Sequence, residues 1–482
     1  MKSKTLVVMI VVVLALAVAG IAFAQQANLP GTAYWFGATE QNVGTSDAAI
    51  VVTAYDSASD AQYPYSPAPL APGASINVGP NDIPGLPAGF VGSIVVSSDQ
   101  PLKALVNVTN RLAGSFGTAD GKAAALYSGI ESSNASTDLS FPLAKNNHYG
   151  KTTTFYLQNA GSAATTIDVT FSFNGTDYAY TTPSVGPGKM VAVDPGLASV
   201  PAGNGMVGAM TLTASQPIAG VMLEHEHSAS VGTVLQGSSG FSPSELDQTA
   251  YCPSIKKNYF GRTSGLQAQN AHSAAQDITV TFVDSGGNEF TSTASNVAPG
   301  ASYTFINDPA IVNGLYSAKV AGSLGNVAAI VNESELPLVN ARQTSQTYNC
   351  QAASTATSSI AYPAYKETFF GRTSALQIQN VGPTQASNVV LTFTDNNGNV
   401  RTSNAQTIPA GASAVYVCVS ANSSLWSGTS LAASTLSGVT ITADQPIVGI
   451  VNEASWASAN PCTPNNGSSS FDKAISNTFN LE

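Results

Sequence analysis

Apolar and polar residues alternate along most of this chain. "TIDVTFSF" (166–173), "DITVTFVD" (277–284) and "NVVLTFTD" (388–395) each alternate apolar and polar residues, which is the period of a half-buried strand. Each runs into an Asn/Gly turn, "NGTD", "SGGN" or "NNGN", whose residues supply the positive φ of a tight hairpin. No long stretch keeps a helical period. Short strands separated by turn signals about every 8–12 residues predict antiparallel β-sandwiches.

Three landmarks recur in order. The first is "PLAKNNHYGKTTTFYLQN" (142–159), "PSIKKNYFGRTSGLQAQN" (253–270) and "PAYKETFFGRTSALQIQN" (363–380). The second is a Pro-Gly or Pro-Ala-Gly turn carrying Gly73, Gly188, Gly300 and Gly411. Proline presets φ there and glycine takes the left-handed position of a type II turn. The third is "SDQPLKALVN" (98–107), "SQPIAGVMLE" (215–224) and "DQPIVGIVNE" (444–453), of which the third repeat keeps only "NVAAIVNE" (326–333). Four repeats follow, over 25–127, 128–242, 243–355 and 356–470, with a strand-like tail at 471–482. The fold class is all-β. The pattern resembles the immunoglobulin-like repeats found in tandem in many secreted bacterial surface proteins. That resemblance implies four sandwiches with a structural or adhesive role, and it specifies no activity.

"MKSKTLVVMIVVVLALAVAGIAFA" (1–24) has two lysines, an apolar run and Ala-Phe-Ala at 22–24. It reads as a cleaved secretory signal with Gln25 opening the mature chain. No second apolar stretch is long enough to span a bilayer. Without Lys2 and Lys4, the 17 basic residues fall to 15 against 28 acidic ones, which argues against nucleic acid as a partner. Charged residues make up only 9% of the chain, so hydroxyl and amide side chains carry the surface.

Four cysteines in an exported chain suggest two disulfides. Cys252 with Cys350 and Cys418 with Cys462 each stay within one repeat, and that pairing is the one expected. Candidate chemistry is sparse. His225 and His227 in "LEHEH" would share one face of a strand and could grip a metal; a solvated strand end is the plainer reading. "DSGGNEF" (284–290) and "DNNGN" (395–399) carry calcium-type oxygens but lack the ligand spacing of a known loop, and read as hairpins. Arg262 and Arg372, both in "FGRTS", either pair with a carboxylate across a domain junction or remain solvated. No nucleophile motif or phosphate loop is present, so the chain reads as a non-enzyme with no cofactor.

The tail raises a separate question. "AISNTFN" (474–480) shares Ala, Thr and Phe with "AYKETFF" (364–370), at the repeat spacing. The stretch from Pro30 to Asn42 is also five residues shorter than that from Pro142 to Asn159. Either residues 471–482 close repeat four, or they leave their chain and add to repeat one of the next molecule. In the second case Ala474, Ile475, Thr478, Phe479 and Leu481 would form an assembly strand. The sequence therefore predicts a secreted structural subunit, self-assembling or bound to other cell-surface components. The alternative is an adhesin that contacts glycans or a host surface through a loop such as 419–434, with Trp426, although a cap on its own core is the favoured reading of that ring.

Overall fold

The structure is a computed structural model that describes residues 7–11, 29, 34–110, 124–228, 232–335, 345–369, 371–395, 398–456 and 470–480. All its sheets are antiparallel. Repeat one shows the plan. Its strands are β1 (Val7–Val11), β2 (Tyr34–Asn42), β3 (Ile50–Asp56), β4 (Gln62–Tyr65), β5 (Ser75–Val78), β6 (Gly92–Ser98), β7 (Leu102–Asn110), β8 (Ala124–Ser128) and β9 (Ile130–Glu131). One sheet has the order β4-β3-β6-β1-β9 and the other β5-β2-β7-β8. The closing strand thus begins in one sheet as β8 and crosses to the other as β9. Repeat three repeats both orders, strand for strand.

The landmarks have structural causes. Proline in the opening strands Ser136–Lys145, Thr249–Lys257 and Thr357–Glu367 coincides with a register shift in each, between Phe141 and Ala144, Cys252 and Ile255, and Tyr362 and Tyr365. Proline has no N–H to give the ladder, so a bulge accommodates it. The Pro-Gly turns take the expected left-handed glycine, with φ between 73° and 76° at Gly73, Gly188, Gly300 and Gly411.

The Gln-Asn landmark is a buried clamp. Asn159 Nδ2 donates to the carbonyls of Ala163 and Val185, both at 2.8 Å. Asn42, Asn270 and Asn380 hold the corresponding pair of carbonyls in their own repeats. Replacing Asn159 with leucine removes both bonds and the one its Oδ1 accepts from the Gly161 N–H, although the Val185 carbonyl keeps the Thr165 N–H. Each such bond is worth about 0.5–1.5 kcal/mol net, so urea denaturation should show repeat two weakened by about 2 kcal/mol.

The chain divides into two compact units, one of repeats one and two, the other of repeats three and four. The repeats within a unit are not independent beads. In the first, a single apolar core includes Phe36, Val52, Ile94 and Tyr127 of repeat one with Tyr156, Val221 and Leu235 of repeat two. In the second, the Pro253 carbonyl accepts from Gln377 Nε2 at 2.8 Å and Ser413 Oγ at 2.9 Å. One contact recurs in both units: Ser93 Oγ donates to the Gly188 carbonyl, and Ser317 Oγ to that of Gly411.

Cys252 and Cys350 form the expected disulfide, with Cα atoms 4.6 Å apart. Cys418 is also disulfide-bonded; its expected partner Cys462 lies outside the described residues.

Within the described part of the tail, residues 470–480 act as the closing strand of repeat four, the first of the two alternatives, and not as a fifth opening strand. Ser470–Asn477 pairs with the long strand Thr435–Trp456, and Phe479–Asn480 crosses to pair with the opening strand of repeat four. The crossing point fixes the equivalence. The amides of Gly129, Gly240, Cys350 and Thr478 donate to the carbonyls of Ala104, Gly220, Ala329 and Gly449, which occupy one position in the four repeats. The backbones of Ala474 and Ile475 pair with Glu453 and Asn452, Phe479 pairs with Ala361, and Thr478 is buried. Leu481 lies outside the described residues.

Candidate functional site

The lysine of each P-x-x-K landmark has a partner that sequence reading missed. After the bulge, Lys145 reaches Glu224 at 2.8 Å, Lys256 reaches Glu333 at 2.6 Å and Lys366 reaches Glu453 at 2.6 Å. A second cation approaches each carboxylate: Lys151 at 3.8 Å, Arg262 at 2.8 Å and Arg372 at 2.6 Å. The three glutamates are almost completely buried. Burial alone pushes each carboxyl up, but the two cations outweigh it and hold all three below the ordinary range, Glu453 at about 2. Arg262 and Arg372 therefore pair inside their own repeats, which corrects both alternatives, a pairing across a domain junction and a solvated arginine.

The other expected site residues are placed as follows. His225 Nε2 lies 3.0 Å from the Thr154 hydroxyl, and burial, opposed by Glu224, pushes the imidazole down to about 4. Only the backbone of His227 is described. Among the described residues no group of three or more His, Cys, Asp or Glu side chains is arranged to hold a metal ion. Asp284 and Asp395 accept hydrogen bonds from Asn288 and Asn399 across their own hairpins. Trp426 does not offer a binding surface. It is 8% exposed, its indole N–H donates to the Val419 carbonyl at 2.7 Å, and its ring packs on Phe393.

Repeat one departs from this plan at one place, the position of its opening strand. Strand pairing aligns Phe36/Val108 with Thr153/Glu224, Ser264/Glu333 and Ser374/Glu453, and Tyr34 with Lys151, Arg262 and Arg372. Val108 and Tyr34 therefore stand where the other repeats have the acid and its second cation. The opening position itself is filled by β1, paired with β6 over five residues and with β9 over two. This strand lies upstream of the Ala-Phe-Ala motif.

The floor beneath β1 carries a charge-bearing group. Glu40 pairs with Ala104, as Leu157 pairs with Gly220 and Ile378 with Gly449. In repeat two, Leu157 crowds over Gly220 together with Leu139 and Phe141 of the opening strand; in repeat four, Ile378 crowds over Gly449 together with Ile360. The residue at this position faces the opening strand. In repeat one it is a glutamate, fully buried, with neither carboxylate oxygen hydrogen-bonded. Burial pushes its carboxyl up to about 8.

Because the folded state holds this proton up to about pH 8 and the unfolded chain releases it near 4.5, Glu40 makes stability fall as pH rises through that window. Glu40→Leu should stabilise repeat one and flatten that part of the stability–pH curve, read by thermal denaturation in a pH series.

No family model matches the chain, and no curated protein does. Among solved structures, one named Thermotoga maritima 1070 matches at a TM-score of 0.20 and 15% identity, covering 23% of this chain and 96% of that one. A tetra-tandem repeat from the extending region of a large adhesion protein matches at 0.11 and 13%, covering 92% and 94%. Part of a 1.5-MDa bacterial ice-binding adhesin matches at 0.10 and 15%, covering 64% and 86%. Likenesses this weak bear on neither ligand nor assembly.

Proposed function

We propose that the protein is a non-enzymatic structural subunit outside the cell, whose copies join end to end by adding a strand to repeat one. The observation that carries this reading is the occupant of the opening position. Val7–Val11 is the inner strand between β6 and β9, yet it belongs to the segment that reads as a leader. Cleavage after Ala24 removes it and leaves backbone N–H and C=O groups of β6 and β9 without partners, a template for another strand. Such a contact is head-to-tail and does not close on itself, so it propagates a filament. The disulfide between Cys252 and Cys350 suits an oxidising compartment. Among the described residues no helix is long and apolar enough to cross a membrane.

The test is electron microscopy and sedimentation velocity on the chain starting at Gln25. A companion version carries Thr357–Glu367 spliced ahead of Gln25, so that its own extra strand can fill the position. Filaments from the first and monomers from the second are expected. Monomers from both, at every concentration, would overturn the reading.

A further inference from the structure

Resting on that reading, we propose that the open position of repeat one is selective for a strand with an inward-facing lysine that pairs with Glu40, and that the C-terminal strand of a second copy supplies it through Lys473. Three observations support this. Glu40 is a buried acceptor aimed where an opening strand lies, and it has no hydrogen-bond partner while β1 lies there. The occupant has the sequence "VVMIV", which contains no cation. A carboxylate so buried is stabilised by a cation and penalised without one.

The chain's own strands favour Ser470–Asn477 as the donor. As an extended strand it alternates Phe471, Lys473 and Ile475 onto one face and Asp472, Ala474 and Ser476 onto the other. One face is thus apolar except for a central lysine, which matches an apolar groove with one acid in its floor. The alignment by shared Ala, Thr and Phe would instead put Asp472 at the position of Tyr362, which is fully buried. A one-residue shift of register exchanges the two faces and turns Lys473 inward. In its own chain Ser470–Asn477 is hydrogen-bonded along Thr435–Trp456 and Phe479–Asn480 along the opening strand of repeat four, and β1 in the repeat-one position is likewise bonded on both sides. Transfer to a second molecule exchanges these ladders for the two that β1 holds.

The experiment measures the critical concentration for assembly of four chains starting at Gln25: wild type, Glu40→Leu, Lys473→Met and the double variant. Each single change should raise it by about tenfold or more, since each strands one member of a buried pair. The double variant, which joins two apolar side chains, should return to within about threefold of wild type. Glu40→Leu places leucine where Leu157 stands in repeat two, so its monomer should melt no lower than wild type, and loss of assembly cannot be put down to misfolding. If both single variants assemble as wild type does, or the double variant is as impaired as their sum, the Glu40–Lys473 pair is wrong while end-to-end assembly stands. If wild type itself never assembles, both fall.

Discussion

Lys366→Met is expected to lower the unfolding free energy of repeat four by about 1.5–3 kcal/mol, the worth of one hydrogen bond to a buried charge. Glu453 is 1% exposed and shares its two oxygens between Lys366 and Arg372. Methionine keeps the stem of the lysine and removes its charge, leaving Arg372 to hold the acid alone. The control is the triple change Glu453→Leu, Lys366→Met and Arg372→Leu. It deletes the whole cluster and should cost far less than the single change, because a buried ion cluster and an apolar one of similar volume are often nearly equal in stability. Denaturant unfolding of the three proteins decides the matter; equal losses in both variants would show that lost packing, not a stranded charge, explains the effect. The acid limb offers a second reading. Glu453 is held at about 2 when folded, against 4.5 in the unfolded chain. Its contribution is complete above 4.5 and is lost as pH falls towards 2. Wild type should therefore lose stability across that window, and the triple variant should lose less.

Replacing Cys252 and Cys350 together with alanine is expected to cost about 4 kcal/mol. The bridge closes a separation of 98 residues, and constraint of the unfolded chain by a loop of about that length is worth roughly 4–5 kcal/mol. Both sulfurs come from nearly fully buried residues, so the alanines also leave a small void. Calorimetry of the oxidised and variant proteins should show the transition of repeat three moving down while that of repeats one and two stays in place. A transition that does not move would mean that the unfolded chain is already compact enough to make the link redundant.

The alternating strands, the turns between them and the left-handed glycines were legible because each depends on residues close in sequence. The clamps were not. Lys145 and Glu224 lie 79 residues apart, and the periodicity of one strand says nothing about which distant strand it faces. A signal was present: the lysine in P-x-x-K and the glutamate in "LEHEH", "VNESE" and "VNEAS" recur together and are both altered in repeat one. Glu40 was visible in the same way, as the single acid in a column otherwise holding Leu157, Ala268 and Ile378. The tail misled for the opposite reason. Three matching letters aligned it with an opening strand, whereas closing strands share a crossing point at Gly129, Gly240, Cys350 and Thr478 and almost no side-chain identity. A backbone hydrogen bond defines that position, and any residue but proline can make it.

The bridge between Cys252 and Cys350 also decides how repeat three bears tension. Cys252 is in its opening strand, and Cys350 is where its closing strand changes sheets. A pull on the two ends of the chain enters at one sulfur and leaves at the other, across 4.6 Å of Cα separation. The 98 residues of sequence between them never carry the load. At about 3.3–3.6 Å per extended residue, that is roughly 300 Å of chain which oxidation keeps out of reach and reduction would release. Under strain, the oxidised chain would behave as a tether of nearly fixed length at repeat three.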